Sequence, residues 1–137
     1  MTDEKLISAA REAMTHSYAP YSRFNVGAAL LTKSGRVFTG CNIENASYGA
    51  TVCAERTAAF KAVSEDEREF TAIAVVGGKD GVIKDFTPPC GICRQVLSEF
   101  AADGFAVLMC DADGTVKKMT LTELLPLSFC EPTGGLL

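Results

Sequence analysis

The chain has 137 residues, 47% of them apolar and 22% charged, the balance of one globular domain long enough to bury a core. A net charge of −4 argues against a nucleic-acid binder, which needs a basic face to neutralise phosphates. No apolar run nears the roughly 20 residues that cross a bilayer, so a small, uncharged partner suits the composition best.

Leu6, Ile7, Ala10 and Met14 share one face of a first helix, with Thr2 as its cap and Asp3 and Glu4 in the first turn. Pro20 lies beyond its end. Phe24 to Leu31 is mostly apolar, and Lys33-Ser34-Gly35 turns the chain into Val37-Phe38-Thr39, a β-hairpin. Cys53 to Val63 reads as a helix with Ala58, Ala59, Ala62 and Val63 toward the core. Ala72 to Val76 is the unbroken apolar run of a strand covered on both faces. A second buried helix spans Gly91 to Ala101, with Ile92, Val96, Leu97 and Phe100 on one side. Strands follow at Phe105 to Met109 and Val116 to Met119, and Thr120 with Glu123 forms a capping box for a last short helix before Pro126. Strand–helix–strand units place helices over parallel strands. The expected fold is a three-layer α/β/α sandwich, residues 1–137 in one domain, around a mixed sheet of about five strands.

Cysteine carries the chemistry. Cys53-Ala54-Glu55-Arg56 and Pro88-Pro89-Cys90-Gly91-Ile92-Cys93 supply three sulfur ligands for zinc, with a carboxylate two residues from the first. Structural zinc sites close with four protein ligands, whereas catalytic ones keep a position for water. Zinc acidifies water, and Glu55 stands where a proton acceptor is required. A lone Cys-x-x-Cys also serves redox motifs and zinc ribbons, but the combined pattern is more specific than either half. The opening Met1-Thr2-Asp3-Glu4-Lys5 is acidic and lacks the apolar segment of a secretory leader. A cytoplasmic setting is therefore expected, in which six cysteines favour metal binding or burial over disulfides. The ligands open two helices, whose N-termini favour thiolate over thiol. Three thiolates on one zinc leave a net negative charge. Arg56 either draws charge from those sulfurs or is a solvated helix residue.

Several long stretches resemble the small, homotetrameric cytidine deaminases, and the resemblance covers nearly the whole chain. They are Tyr18-Ala19-Pro20-Tyr21-Ser22, Phe24-Asn25-Val26-Gly27-Ala28-Ala29, Gly40-Cys41-Asn42-Ile43-Glu44-Asn45-Ala46-Ser47-Tyr48, Cys53-Ala54-Glu55-Arg56 and Pro89-Cys90-Gly91-Ile92-Cys93-Arg94-Gln95. The resemblance implies one zinc per subunit on Cys53, Cys90 and Cys93, with Glu55 as proton shuttle. It implies that Asn42 and Glu44 hydrogen-bond the ribose 3′-hydroxyl, a pairing their i, i+2 spacing allows in extended chain. It further implies that Phe24 packs on the pyrimidine and that the backbone beside Ala54 and Cys90 reads its polar edge. Leu124-Leu125-Pro126-Leu127-Ser128-Phe129 resembles the segment whose Phe enters a neighbouring subunit's pocket, although the family has Gly or Asp where Leu127 stands. Ala46 and Tyr48 would face a pocket across a subunit boundary.

The implied reaction is hydrolytic deamination of cytidine and 2′-deoxycytidine in pyrimidine salvage. The rivals are a deaminase of another aminopyrimidine nucleoside such as blasticidin S, a polynucleotide-editing deaminase, and a non-enzymatic zinc module. Asn42-Ile43-Glu44-Asn45 favours an ordinary nucleoside over the first, and the acidic charge disfavours the second. A structural site has no use for Glu55. His16 is expected to be structural or solvated and not to bind metal, Cys41 and Cys110 to be buried small apolar groups at strand ends, and Cys130 has no assigned part.

Overall fold

The computed structural model describes residues 1–130, so Glu131 to Leu137 of the expected domain lie outside the described residues. Helix α1 (Asp3–Met14) starts where Thr2, in extended conformation, accepts a hydrogen bond from the Lys5 amide at 3.2 Å. Asp3 and Glu4 then sit at its electropositive end. Strands β1 (Phe24–Thr32) and β2 (Val37–Cys41) form the antiparallel hairpin. Its turn places Gly35 at φ 93°, a conformation that a side chain disfavours. There follow α2 (Ala54–Ser64), β3 (Phe70–Lys79), α3 (Gly91–Ser98), β4 (Ala101–Cys110), β5 (Val116–Thr120) and α4 (Leu121–Leu124). The capping box is complete: Thr120 Oγ1 accepts from the Glu123 amide, and Glu123 Oε1 accepts from the Thr120 amide.

The sheet order is β2-β1-β3-β4-β5. β1 runs antiparallel to both β2 and β3, β3 and β4 are parallel, and β5 runs against β4. This is the expected mixed five-stranded sheet. Strands β2, β3 and β4 therefore point the same way, and α2 and α3 leave from the carboxyl ends of β2 and β3.

Alternation along the strands divides the core. Ala28, Leu30, Ile73, Val75, Val107 and Met109 pack with α2 and α3, while Ala29, Ala74, Val76 and Leu108 pack with α1. That makes three layers, α1 on one face and α2 with α3 on the other. Two close approaches set the layer spacing. A Cβ on Gly27 would lie 2.0 Å from the Ala10 carbonyl oxygen, and one on Gly40 would lie 2.5 Å from that of Ala54. Both helices rest on bare strand backbone there.

Helix α3 ends at Ser98, short of the expected Ala101, which instead opens β4. Ile92 is 63% exposed and does not join the core. The buried face of α3 is centred on Cys93 and Leu97, four residues apart. Ile92 is rotated about 100° from Cys93 and falls on the outer edge. Val63, expected in the core of α2, packs only partly against it. His16 pairs its ring with Glu12 at 2.9 Å on the surface. Cys110 is buried and Cys41 half-buried at the ends of β4 and β2, and all six cysteines are free. Among the described residues no helix is long and apolar enough to cross a membrane.

Candidate active site

Cys53 is the N-cap of α2 and Cys90 the N-cap of α3. The Cys90 sulfur accepts from the Cys93 amide at 3.4 Å, so a helix cap and a candidate ligand are one atom. Both helix starts lie at the carboxyl ends of strands, where open α/β sheets form ligand crevices. The sulfurs of Cys53, Cys90 and Cys93 lie within 4.8 Å of one another, with Cys53 to Cys90 at 3.5 Å and Cys90 to Cys93 at 3.1 Å. Zn–S bonds of about 2.3 Å in a tetrahedron separate sulfurs by about 3.8 Å, so small adjustments seat one ion. Three soft sulfur donors suit zinc and leave a position free. The donor set fits one zinc per chain.

The electrostatics favour charge on this cluster. The hydrogen bond from Cys93 draws the Cys53 thiol down to about 5, helped by Arg56 and Cys90 and opposed by burial. Cys93 is pushed up by the same contact with Cys53 and by burial. Of these two sulfurs, Cys53 is the first to ionise. Arg56 Nη2 donates to Cys53 Sγ at 3.5 Å, and among the described residues its buried Nε has no partner. Arg56 therefore lies against the sulfur and is not a solvated surface charge.

Glu55, in the first turn of α2, is 3% exposed. Its Oε2 accepts from the Cys90 amide at 3.3 Å, and it stands outside the sulfur triad. Burial pushes its carboxyl above the usual carboxylate range, more strongly than its backbone hydrogen bond lowers it, and the neighbouring Cys53 charge adds to the rise. A carboxyl so placed exchanges protons nearer neutral pH than a surface one. Ala54, between ligand and acid, is fully buried.

The segment after β2 is tied to the chain just ahead of Cys53 by two bonds between Ile43 and Val52, of 2.9 and 3.0 Å. Asn42 and Glu44 flank Ile43, and both turn toward residues 17–26. Asn42 Nδ2 donates to the Phe24 carbonyl at 2.8 Å, and its Oδ1 accepts from the Val26 amide at 2.9 Å. Glu44 accepts from the Ser22 hydroxyl and from the amides of Tyr21 and Ser22, at 2.8 and 3.1 Å. The Ser22 hydroxyl and then these amides hold its carboxyl below the usual range, so it is charged at neutral pH. Phe24 opens β1 partly exposed, directly after Arg23 in the left-handed region at φ 58°. A fork from Arg23 to Asp80, 3.1 and 3.2 Å, spans that bend.

Ala46, Tyr48 and Phe129 are placed differently. All three are exposed, Tyr48 edge-on to Tyr21 at 5.7 Å between ring centres. Phe129 is 76% exposed, and its carbonyl accepts from Gln95 of α3. Two residues without a part in the sequence reading organise the site. Ser22 holds Glu44, and Arg94 joins the cysteine loop to the C-terminal segment by donating to the carbonyls of Pro89 and Leu124 at 2.7 and 2.9 Å. Both lie in stretches that carry the family resemblance, which was the available signal.

Comparison with known proteins agrees with this geometry. The family model of the cytidine and deoxycytidylate deaminase zinc-binding region matches residues 1–109. A cytidine deaminase of Halalkalibacterium halodurans is 50% identical over 129 residues, 94% of this chain and 95% of that one. The crystal structure of a cytidine deaminase from Burkholderia pseudomallei superposes with a TM-score of 0.85 at 47% identity, covering 94% of this chain and 100% of that one. A blasticidin-S deaminase of Bacillus cereus is more distant, 34% identical over 93% of this chain and 91% of its own.

Proposed function

This chain belongs to the cytidine and deoxycytidylate deaminase family, and on that premise we propose that it hydrolyses cytidine and 2′-deoxycytidine to the uracil nucleoside and ammonia. The observation that carries the proposal is Glu55, a buried carboxyl beside three convergent sulfurs yet outside their cluster. When bound by Cys53, Cys90 and Cys93, zinc supplies Lewis-acid polarisation and acidifies water. Glu55 takes a proton from the attacking water as the new C–O bond forms at C4, and passes it to N3. It then moves the second proton of that water to the amino group, which leaves as ammonia as the C4–N bond breaks. Arg56 offsets the negative charge of the sulfurs.

Asn42 and Glu44 receive the ribose 3′-hydroxyl, Phe24 packs on the base, and the backbone at Ala54 and Cys90 meets its polar edge. The setting is pyrimidine salvage in the cytoplasm. The greater identity to a cytidine deaminase than to the blasticidin-S deaminase supports cytidine as substrate. Mixing purified, zinc-assayed protein with cytidine should shift the ultraviolet spectrum to that of uridine, with blasticidin S turned over poorly. Turnover of blasticidin S alone would reverse the assignment.

The assembly is a homotetramer with shared sites, in which Phe129 of one subunit closes a neighbour's pocket and excludes water. Exposure of Phe129, Ala46 and Tyr48 in the single chain supports this. Phe129→Ala should weaken cytidine binding and spare zinc. Co-refolding Glu55→Ala subunits with Phe129→Ala subunits should partly restore cytidine affinity, because some sites then combine an intact Glu55 with a neighbour's intact Phe129. A mixture that behaves as the average of its parents places the pocket within one chain.

A further inference from the structure

A chain of donors reaches Asn42 from two residues that have no part in the reaction described so far. Asn25 Nδ2 donates to Ser17 Oγ at 3.1 Å, and Ser17 Oγ donates to Asn42 Oδ1. The same Oδ1 accepts from the Val26 amide, while Asn42 Nδ2 donates to the Phe24 carbonyl. The β1 backbone thereby fixes which end of the carboxamide is oxygen, since an N–H must meet an acceptor and a carbonyl a donor. With two donors on Oδ1, both of its lone pairs are used. One Nδ2 hydrogen is left.

Ser17 is held in turn. Its amide bonds the Met14 carbonyl at 3.2 Å as the chain leaves α1, and its oxygen accepts from Asn25, which directs its own proton onto Asn42. Consecutive bonds of this kind polarise one another. Asn42 is thus a donor without acceptor capacity. Glu44, two residues on and charged, is an acceptor only. A hydroxyl accepts from the one and donates to the other.

We propose that Ser17 and Asn25 are positioning residues that lock the Asn42 carboxamide as a donor to a sugar hydroxyl of the nucleoside. This rests on the sugar contact of Asn42 proposed above. Loss of the Ser17 hydroxyl leaves the buried Oδ1 with the Val26 amide as its single donor and one lone pair open, so the carboxamide keeps its backbone bonds but is held less firmly toward the hydroxyl it serves.

The test is steady-state kinetics of the zinc-loaded full chain on cytidine and on 3′-deoxycytidine. Ser17→Ala should raise KM for cytidine about fivefold, the worth of one hydrogen bond. It should leave kcat unchanged and leave KM for 3′-deoxycytidine where it was, because that substrate lacks the hydroxyl. Asn25→Ala should move KM in the same direction by less, and Ser17→Thr should restore the parent values. An equal rise on both substrates, or no change on either, overturns the proposal while Asn42→Ala still discriminates between the nucleosides. If Asn42→Ala does not discriminate between them, the sugar contact itself is wrong and this inference falls with it.

Discussion

Replacing Glu55 by glutamine lowers cytidine turnover by at least ~10²-fold and leaves one zinc per chain, the smaller end of what a positioned acid–base group contributes. Glutamine keeps the volume of the side chain and an oxygen that can accept from the Cys90 amide, the bond now made at 3.3 Å. The loop that carries Cys90 therefore stays in place. What the amide cannot do is carry the two protons of the water in turn, the first to N3 and the second to the amino group. The cost falls on kcat, since proton transfer belongs to the transition state. Metal content, thermal midpoint and kcat measured on one preparation separate this from damage to the fold. Near-normal turnover with full zinc would end the proposed mechanism.

Cys90→Ala and Cys90→Ser both lose zinc and all measurable turnover, and the difference between them isolates a second duty of this residue. Cys90 caps α3 through the Cys93 amide as well as offering a sulfur to the metal. Serine retains a capping oxygen and alanine does not, which separates the two variants by about 1 kcal/mol. Both lose the stabilisation that comes from binding the folded state alone, about 4 kcal/mol at zinc a thousandfold above its dissociation constant. The five-stranded core should nevertheless persist, because Phe70, Ile73, Val75 and Leu108 are fully buried without reference to the metal. Circular dichroism reads the fold, and atomic absorption reads the zinc. Full zinc occupancy in Cys90→Ala removes Cys90 from the ligand set.

Much of the architecture was legible because its signals are periodic. The unbroken run in β3 marks a strand buried on both faces, and the Thr120–Glu123 box marks a helix start. The boundary between α3 and β4 was not legible. Phe100, Ala101 and Ala102 are apolar or small and fit either period, and pairing of Ala101 with Phe70 across the sheet decides it. Cysteine spacing named three sulfurs that the fold brings within 4.8 Å. The hydrogen bonds from Ser22 to Glu44 and from Ser17 to Asn42 join residues more than 20 positions apart. Such contacts exist only after the hairpin and α1 have docked, so no local pattern announces them.

Gly40 touches none of the reacting groups, yet the geometry of the sulfur triad depends on it. The first turn of α2 lies so close to this strand residue that an added methyl would sit 2.5 Å from the Ala54 carbonyl oxygen and 2.6 Å from the Ala58 nitrogen. Relief requires the start of the helix to rise or tilt. Cys53 and Glu55 would move with it, while Cys90 and Cys93, on a different helix, would stay. The triangle would be distorted along the two edges that meet at Cys53, and Glu55 would shift relative to the Cys90 amide. A methyl group in the wall of the sheet would thus retune metal affinity and proton transfer together, by leverage alone and without altering a single ligand.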